Sequence, residues 1–331
     1  MPKPHNDSNE DGHKKAENNA SHFSTPPMVK TPECKSQSFL RALIRKFLIR
    51  ATVYSPKFDS RLVYRHTFWV RLTHWFNVLC LPILIMSGFQ IFNAHPALYL
   101  GDRSDRDRPV FSMRAVLTKD GKMQGITTLF DHQTETTGLL GVSKDSHGAL
   151  IQRGFPEWAT LPSEKWLSMG RRWHFFFAWL FVFNGFLYIV YSLFSGHLRR
   201  DLIPSSTDLR GIGRSILDHL KFSHPSAEKV HRYNVLQKIA YIVVLFGFGP
   251  LIVLTGLTMS PQTDASIPLL LTVFGGRQSA RTIHFTVCFA FIGFIFIHLV
   301  MVVSTGFWNN LRSMLAGWYQ IKGLGGKNGE Q

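Results

Sequence analysis

Four histidines stand in or beside long apolar runs of this chain: His74 in R-L-T-H-W, His174 in G-R-R-W-H-F, His284 in S-A-R-T-I-H-F and His298 in F-I-H-L-V. An ionisable side chain in an apolar run is costly, so each is a functional candidate by default. Neutral imidazole is also the commonest metal ligand among side chains. His284 and His298 are fourteen residues apart, and helical geometry separates such residues by ~21 Å along the axis and about 40° around it. One helix would therefore carry two imidazoles on one face at two depths, and each needs a partner at its own level.

Four apolar segments are long enough to supply those levels, since crossing a bilayer takes about twenty residues of helix. They run from about Trp69 to Phe92, Trp173 to Phe194, Ile239 to Met259 and Thr282 to Thr305. Lys and Arg crowd the segment before the first span, the connection between the second and third, and the stretch after the fourth. The positive-inside rule assigns those three segments to the cytoplasm, with both termini inside. The other side receives the long connection 93–172, which mixes acids and bases, and a shorter one from 260 to 281. In that topology His174 shares the outer level with His284, and His74 shares the inner level with His298. The third span has no histidine. Two bis-histidine sites stacked across the membrane suit two low-spin haem b groups with no open coordination position. Zinc or copper fits poorly, because two distant pairs cannot close one tetrahedral site. Taken singly, a histidine near a helix end is more often an interfacial or hydrogen-bonded residue than a ligand.

Composition agrees with a membrane protein and speaks against nucleic acid as partner. Thirty-seven Lys and Arg against twenty-one Asp and Glu give a formal charge of +16, and the excess flanks apolar runs rather than forming an independent basic patch. The three cysteines, Cys34, Cys80 and Cys288, form no C-x-x-C pair or C-x-x-C-H haem attachment. Residues 1–37 read as a disordered tail without a signal peptide. Residues 38–68 read as a basic cytoplasmic segment, whose start (38–51) suits an amphipathic helix on a lipid surface. The remaining histidines read as solvated, with His66 and His197, nearest a membrane level, as the first exceptions to expect. Arg171, Arg172, Arg277 and Arg281 at the outer level and Arg71 at the inner one could neutralise haem propionates; interfacial anchoring explains them equally well. Gly88, Gly185, Gly247, Gly249, Gly256 and Gly293 could admit a flat macrocycle or a neighbouring helix. Pro250 is expected to kink the third span.

Several stretches resemble a known family: R-L-T-H-W at 71–75, G-R-R-W-H-F-F-F-A-W at 170–179, Y-N-V-L-Q-K at 233–238, L-T-G-L-T-M-S-P at 254–261, F-G-G-R-Q-S-A-R-T-I-H-F at 274–285 and G-F-W-N-N-L-R-S-M at 306–314. As a set they resemble the cytochrome b subunits of bacterial nickel–iron hydrogenases and formate dehydrogenases, most closely those of the thiosulfate-reductase type. The resemblance implies a membrane electron-transfer subunit, rather than a catalytic one, working between a quinone pool and a periplasmic oxidoreductase. It implies His74, His174, His284 and His298 as ligands of two haems b. Relatives of the thiosulfate-reductase type imply a molybdopterin-dependent partner. The long connection 93–172 and the basic N-terminus depart from the simpler hydrogenase subunits.

The resulting expectation is an all-α, four-helix membrane bundle of the bacterial inner membrane, with a di-haem domain over 69–308 and a cytoplasmic tail over 309–331. Quinone would bind near one haem, with Tyr233, Asn234, Gln237, Asn309 and Asn310 as polar candidates at the cytoplasmic level, although each reads more readily as a loop or cap residue than as a quinone ligand. Two rivals remain. One is a stand-alone quinone reductase using a small periplasmic substrate such as superoxide. The other is a haem-free transporter or anchor, against which the lack of Asp and Glu in the spans counts.

Overall fold

The computed structural model describes residues 62–205, 208, 210, 213 and 235–320. The expected tail, the basic segment up to residue 61, and Tyr233 and Asn234 lie outside them. A short strand β1 (Leu62–Tyr64) leads into helix α1 (Phe68–Phe92). Six strands follow: β2 (Ala97–Leu98), β3 (Phe111–Leu117), β4 (Met123–Leu129), β5 (His132–Glu135), β6 (Gly141–Lys144) and β7 (Leu150–Arg153). Then come α2 (Leu167–Phe194) and α3 (Val235–Thr258), the short α4 (Pro261–Ser266) and α5 (Leu269–Phe274), α6 (Arg277–Ser304), α7 (Phe307–Ala316) and β8 (Trp318–Gln320).

Helices α1, α2, α3 and α6 are long and apolar enough to cross a membrane. Their outer faces agree: Phe175, Phe176, Trp179, Phe183 and Phe186 of α2 stand exposed, as lipid-facing side chains do. The packing is pairwise, α1 along α2 and α3 along α6. Between the first two helices the buried Asn184 amide donates to Thr73 O and to Asn77 Oδ1, both at 2.9 Å. Such interhelical hydrogen bonds hold helices together where lipid removes the hydrophobic drive. Helix α3 winds as a π-helix over Val243–Phe248, directly before Pro250, whose missing N–H disrupts regular winding there.

β1 pairs antiparallel with β8, Leu62 opposite Gln320 and Tyr64 opposite Trp318. The flanks of the first and last spans therefore meet at one end of the molecule, here called the first end. Gly317 makes this join possible: its φ is +89°, and a Cβ there would stand 2.6 Å from the Tyr64 ring.

The all-α expectation is corrected at the second end. Residues 93–166 build a β unit, with a four-stranded sheet in the order β2-β3-β4-β5 and a β6-β7 hairpin. Phe92, Leu98, Met113 and Phe155 form its core, with Phe89, Phe111 and Phe285 packed against them. The physical reason is visible in the chain: β3 and β4 carry β-formers, and the Asp120–Gly121 turn between them is a hairpin signal. The unit grips the start of α6. Gly101 N donates to Ser279 Oγ at 2.7 Å, Thr282 Oγ1 to Tyr99 O at 2.6 Å and Arg281 to His95 O at 2.6 Å.

Candidate functional site

The four histidines converge in two pairs. His174 and His284 face each other near the second end, with ring centroids 6.3 Å apart and planes at 61°. His74 and His298 do the same near the first end, at 6.3 Å and 56°. This is the pairing that helical depth implied. Two imidazoles bound through one nitrogen each to a shared metal at ~2.0 Å stand about 6 Å apart between ring centres. Among the described residues no three His, Cys, Asp or Glu side chains converge on a metal position. A metal held by each pair alone needs a group that brings its other ligands, which is what a porphyrin does. The donor set and spacing fit haem b at both levels.

The second-end pair is held on the side away from its partner. His174 Nδ1 lies 3.1 Å from Leu84 O and 3.1 Å from Ser87 Oγ, both on α1. His284 Nδ1 lies 3.0 Å from Ile252 O and 3.2 Å from Thr255 Oγ1, both on α3. A carbonyl only accepts, so each Nδ1 carries the proton and donates. The Nε2 lone pair is then left for a metal. Gly88 and Gly256, one residue beyond the two hydroxyls, bring the α1 and α3 backbones against the imidazole edges. Helix α3, without a histidine of its own, thus orients one on α6. Among the candidate residues that the sequence offers, neither Ser87 nor Thr255 appears.

The first-end pair is held differently. Among the described residues, His74 Nδ1 is buried with no hydrogen-bond partner. His298 stacks on Phe294 at 5.9 Å between centroids and 20° between planes. Around this end, His66 and His197 are buried rather than solvated. His197 Nδ1 donates to Asp201 Oδ2 at 2.7 Å.

The arginines divide. Arg71 donates to Leu315 O at 2.5 Å, tying α1 to α7, and Arg281 is spent on His95 O with its guanidinium 5.5 Å from the Phe92 ring centre. Arg172 is exposed. Of the polar candidates at the first end, Asn309 exchanges two hydrogen bonds with the Gln320 backbone, and Asn310 bonds Val302 O and Thr305 Oγ1. Both carboxamides serve the turn around α7.

The comparisons bear on this geometry. A relative from Azospira oryzae, described as a protein-methionine-sulfoxide reductase subunit, YedZ1, is 29% identical over 237 residues, which cover 72% of this chain and 89% of the relative. No solved structure matches the chain. The family model for prokaryotic cytochrome b561 matches residues 65–317, a stretch that includes all four histidines and the β unit between α1 and α2. Two opposed imidazole pairs among membrane-spanning helices are thus set in a chain that belongs to the prokaryotic cytochrome b561 family of haem-binding membrane proteins.

Proposed function

We propose that the protein is a di-haem electron-transfer subunit that links the quinone pool to a periplasmic oxidoreductase. His174 and His284 hold the outer haem b and His74 and His298 the inner one. The observation that carries this reading is the repetition of a 6.3 Å imidazole pair at two levels of α6. Its orientation rests on Arg65, Arg71, Arg199, Arg200, Lys238 and Arg312 gathered toward the first end, which the positive-inside rule makes cytoplasmic.

When bound, haem b supplies a one-electron iron couple at each level. The chain's own residues do the rest. Helix α6 fixes the two imidazole levels ~21 Å apart through its rise. Leu84, Ser87, Ile252 and Thr255 hold the outer imidazoles in one tautomer. Phe92, Phe111, Phe155 and Phe285 pack together beneath the β unit, one residue along α6 from His284 at their nearest. The relative's description as a reductase subunit supports an enzyme partner, and the thiosulfate-reductase-type resemblance supports a periplasmic, molybdopterin-dependent one. The folded β unit beside the outer level offers such a partner a surface, which favours this reading over a stand-alone quinone reductase.

The test is a reduced-minus-oxidised spectrum of the purified protein with pyridine-haemochrome quantitation. Two haems b per chain are expected, and a colourless preparation overturns the reading. Co-purification of a periplasmic subunit tests the partner.

A further inference from the structure

The second-end pair is supported by a duplicated sequence. Pro82-Ile83-Leu84-Ile85-Met86-Ser87-Gly88 of α1 and Pro250-Leu251-Ile252-Val253-Leu254-Thr255-Gly256 of α3 share one pattern: proline first, the accepting carbonyl two residues on, a hydroxyl five on and glycine six on. Their targets also match, Arg171-Arg172-Trp173-His174-Phe175 against Arg281-Thr282-Ile283-His284-Phe285. At this level the α1–α2 and α3–α6 halves carry the same pattern. At the other level they do not. Fourteen residues after His174 comes Tyr188 where α6 has His298, and fourteen before Gly256 comes Ile242 where α1 has His74.

The hydroxyls have a defined polarity. Ser87 Oγ donates its one proton to Ile83 O at 2.6 Å, and Thr255 Oγ1 donates to Leu251 O at 2.7 Å. Toward the imidazole each oxygen can therefore only accept. Each second-end Nδ1–H faces two acceptors, a carbonyl and a hydroxyl. His74 Nδ1 at the first end faces none among the described residues.

We propose that Ser87 and Thr255 are positioning residues of a duplicated device that makes both ligands of the outer haem strongly hydrogen-bonded imidazoles and thereby lowers the reduction potential of that haem alone. A hydrogen bond donated from the non-ligating nitrogen raises ligand basicity. A more basic axial ligand stabilises the ferric over the ferrous state, and second-shell hydrogen bonding is a recognised lever on haem potential. The device separates the two haems electronically although both have the same ligand types. This inference rests on the assignment of the four histidines as haem ligands.

The experiment is a spectroscopic redox titration of the detergent-purified holoprotein and its variants, with low-spin electron paramagnetic resonance of each ferric haem. The outer haem is identified as the component lost in His174→Ala. Ser87→Ala and Thr255→Val are each expected to shift the midpoint of that component upward and to alter its low-spin signal, leaving the other component in place. Ser87→Thr and Thr255→Ser keep the acceptor and are expected to restore both readings. Thr258→Val is the control: its hydroxyl makes the same bond to its own helix, to Leu254 O at 2.8 Å, but meets no histidine. Should Ser87→Ala or Thr255→Val shed the outer haem, Ser87→Cys decides, because a thiol fills the site as a weaker acceptor and must still raise the potential. An unmoved outer component, an equal shift of both components, or the same shift from Thr258→Val overturns the proposal. A wild-type protein without haem overturns the earlier assignment instead, so the two failures are distinguishable.

Discussion

Gly256 and His284 are in close register: a Cβ at Gly256 would stand 3.3 Å from His284 Cε1. The corresponding distance from Gly88 to His174 Cε1 is 3.4 Å. At 3.3 Å the neighbour must give by a few tenths of an ångström, and the imidazole is already held from the same side. Gly256→Ala is therefore expected to turn His284 and reduce the haem content from two per chain toward one. Gly88→Ala should have a milder effect. Alanine favours an exposed helix interior by ~1 kcal/mol over glycine, so helix content should not fall. Haemochrome assay beside circular dichroism separates the two effects; full haem content in Gly256→Ala counts against the register.

The histidine pairs make a sharper prediction. His174→Ala and His284→Ala should each remove the same spectral component, and His74→Ala and His298→Ala the other one. Each variant keeps about one haem, because the two pairs sit ~21 Å apart along α6. If His74→Ala and His174→Ala abolish the same component, the pairing and the topology built on it are wrong.

The pairing was legible because it depends only on helix rise and on where each span begins. Fourteen residues on one helix fix two depths, whatever the neighbours do. The β unit was harder. The R-S-D-R-D-R stretch at 103–108 reads as solvated loop, although the Asp120–Gly121 turn between Val116-Leu117 and Met123 marked a hairpin. Ser87, Thr255 and Asn184 were missed for another reason. A hydroxyl in an apolar helix ordinarily bonds its own backbone, and both do. Their second role depends on which residue the neighbouring helix places opposite, and spacing within one helix does not contain that. The available clue was the repeated Pro-x-x-x-x-(Ser/Thr)-Gly itself.

Arg153 should matter to the β unit out of proportion to its distance from the histidines. It is 1% exposed and donates to Glu157 Oε1 at 3.0 Å, Thr160 Oγ1 at 2.9 Å and Gln90 Oε1 at 3.3 Å, as well as to Ser163 O. Gln90 in turn bonds Glu164 O at 2.5 Å, so one guanidinium joins β7, the top of α1 and the approach to α2. Removing one partner of a buried ion pair costs ~3–5 kcal/mol. Arg153→Ala is expected to open residues 93–166 to limited proteolysis, and Arg153→Lys to rescue little, because an ammonium cannot reproduce the planar fork. Unchanged protease resistance in Arg153→Ala refutes this role.

Acid should act on the first end through His66. Burial, reinforced by the positive charge of Arg65, pushes its pKa down from 6.5 to about 3. In the unfolded chain His66 takes a proton as pH falls through its ordinary value, whereas in the folded chain it resists until about 3. The unfolded state then binds more protons, so the contribution of His66 to stability is complete above 6.5 and declines as pH falls toward 3. The limiting slope is about 1.4 kcal/mol per pH unit for one group. Thermal unfolding of the detergent-solubilised protein at pH 7.5, 6.0 and 5.0 should show melting temperature falling with acidity. His66→Gln, which cannot be protonated, should flatten that fall. An equally steep decline in His66→Gln assigns the acid sensitivity to other groups.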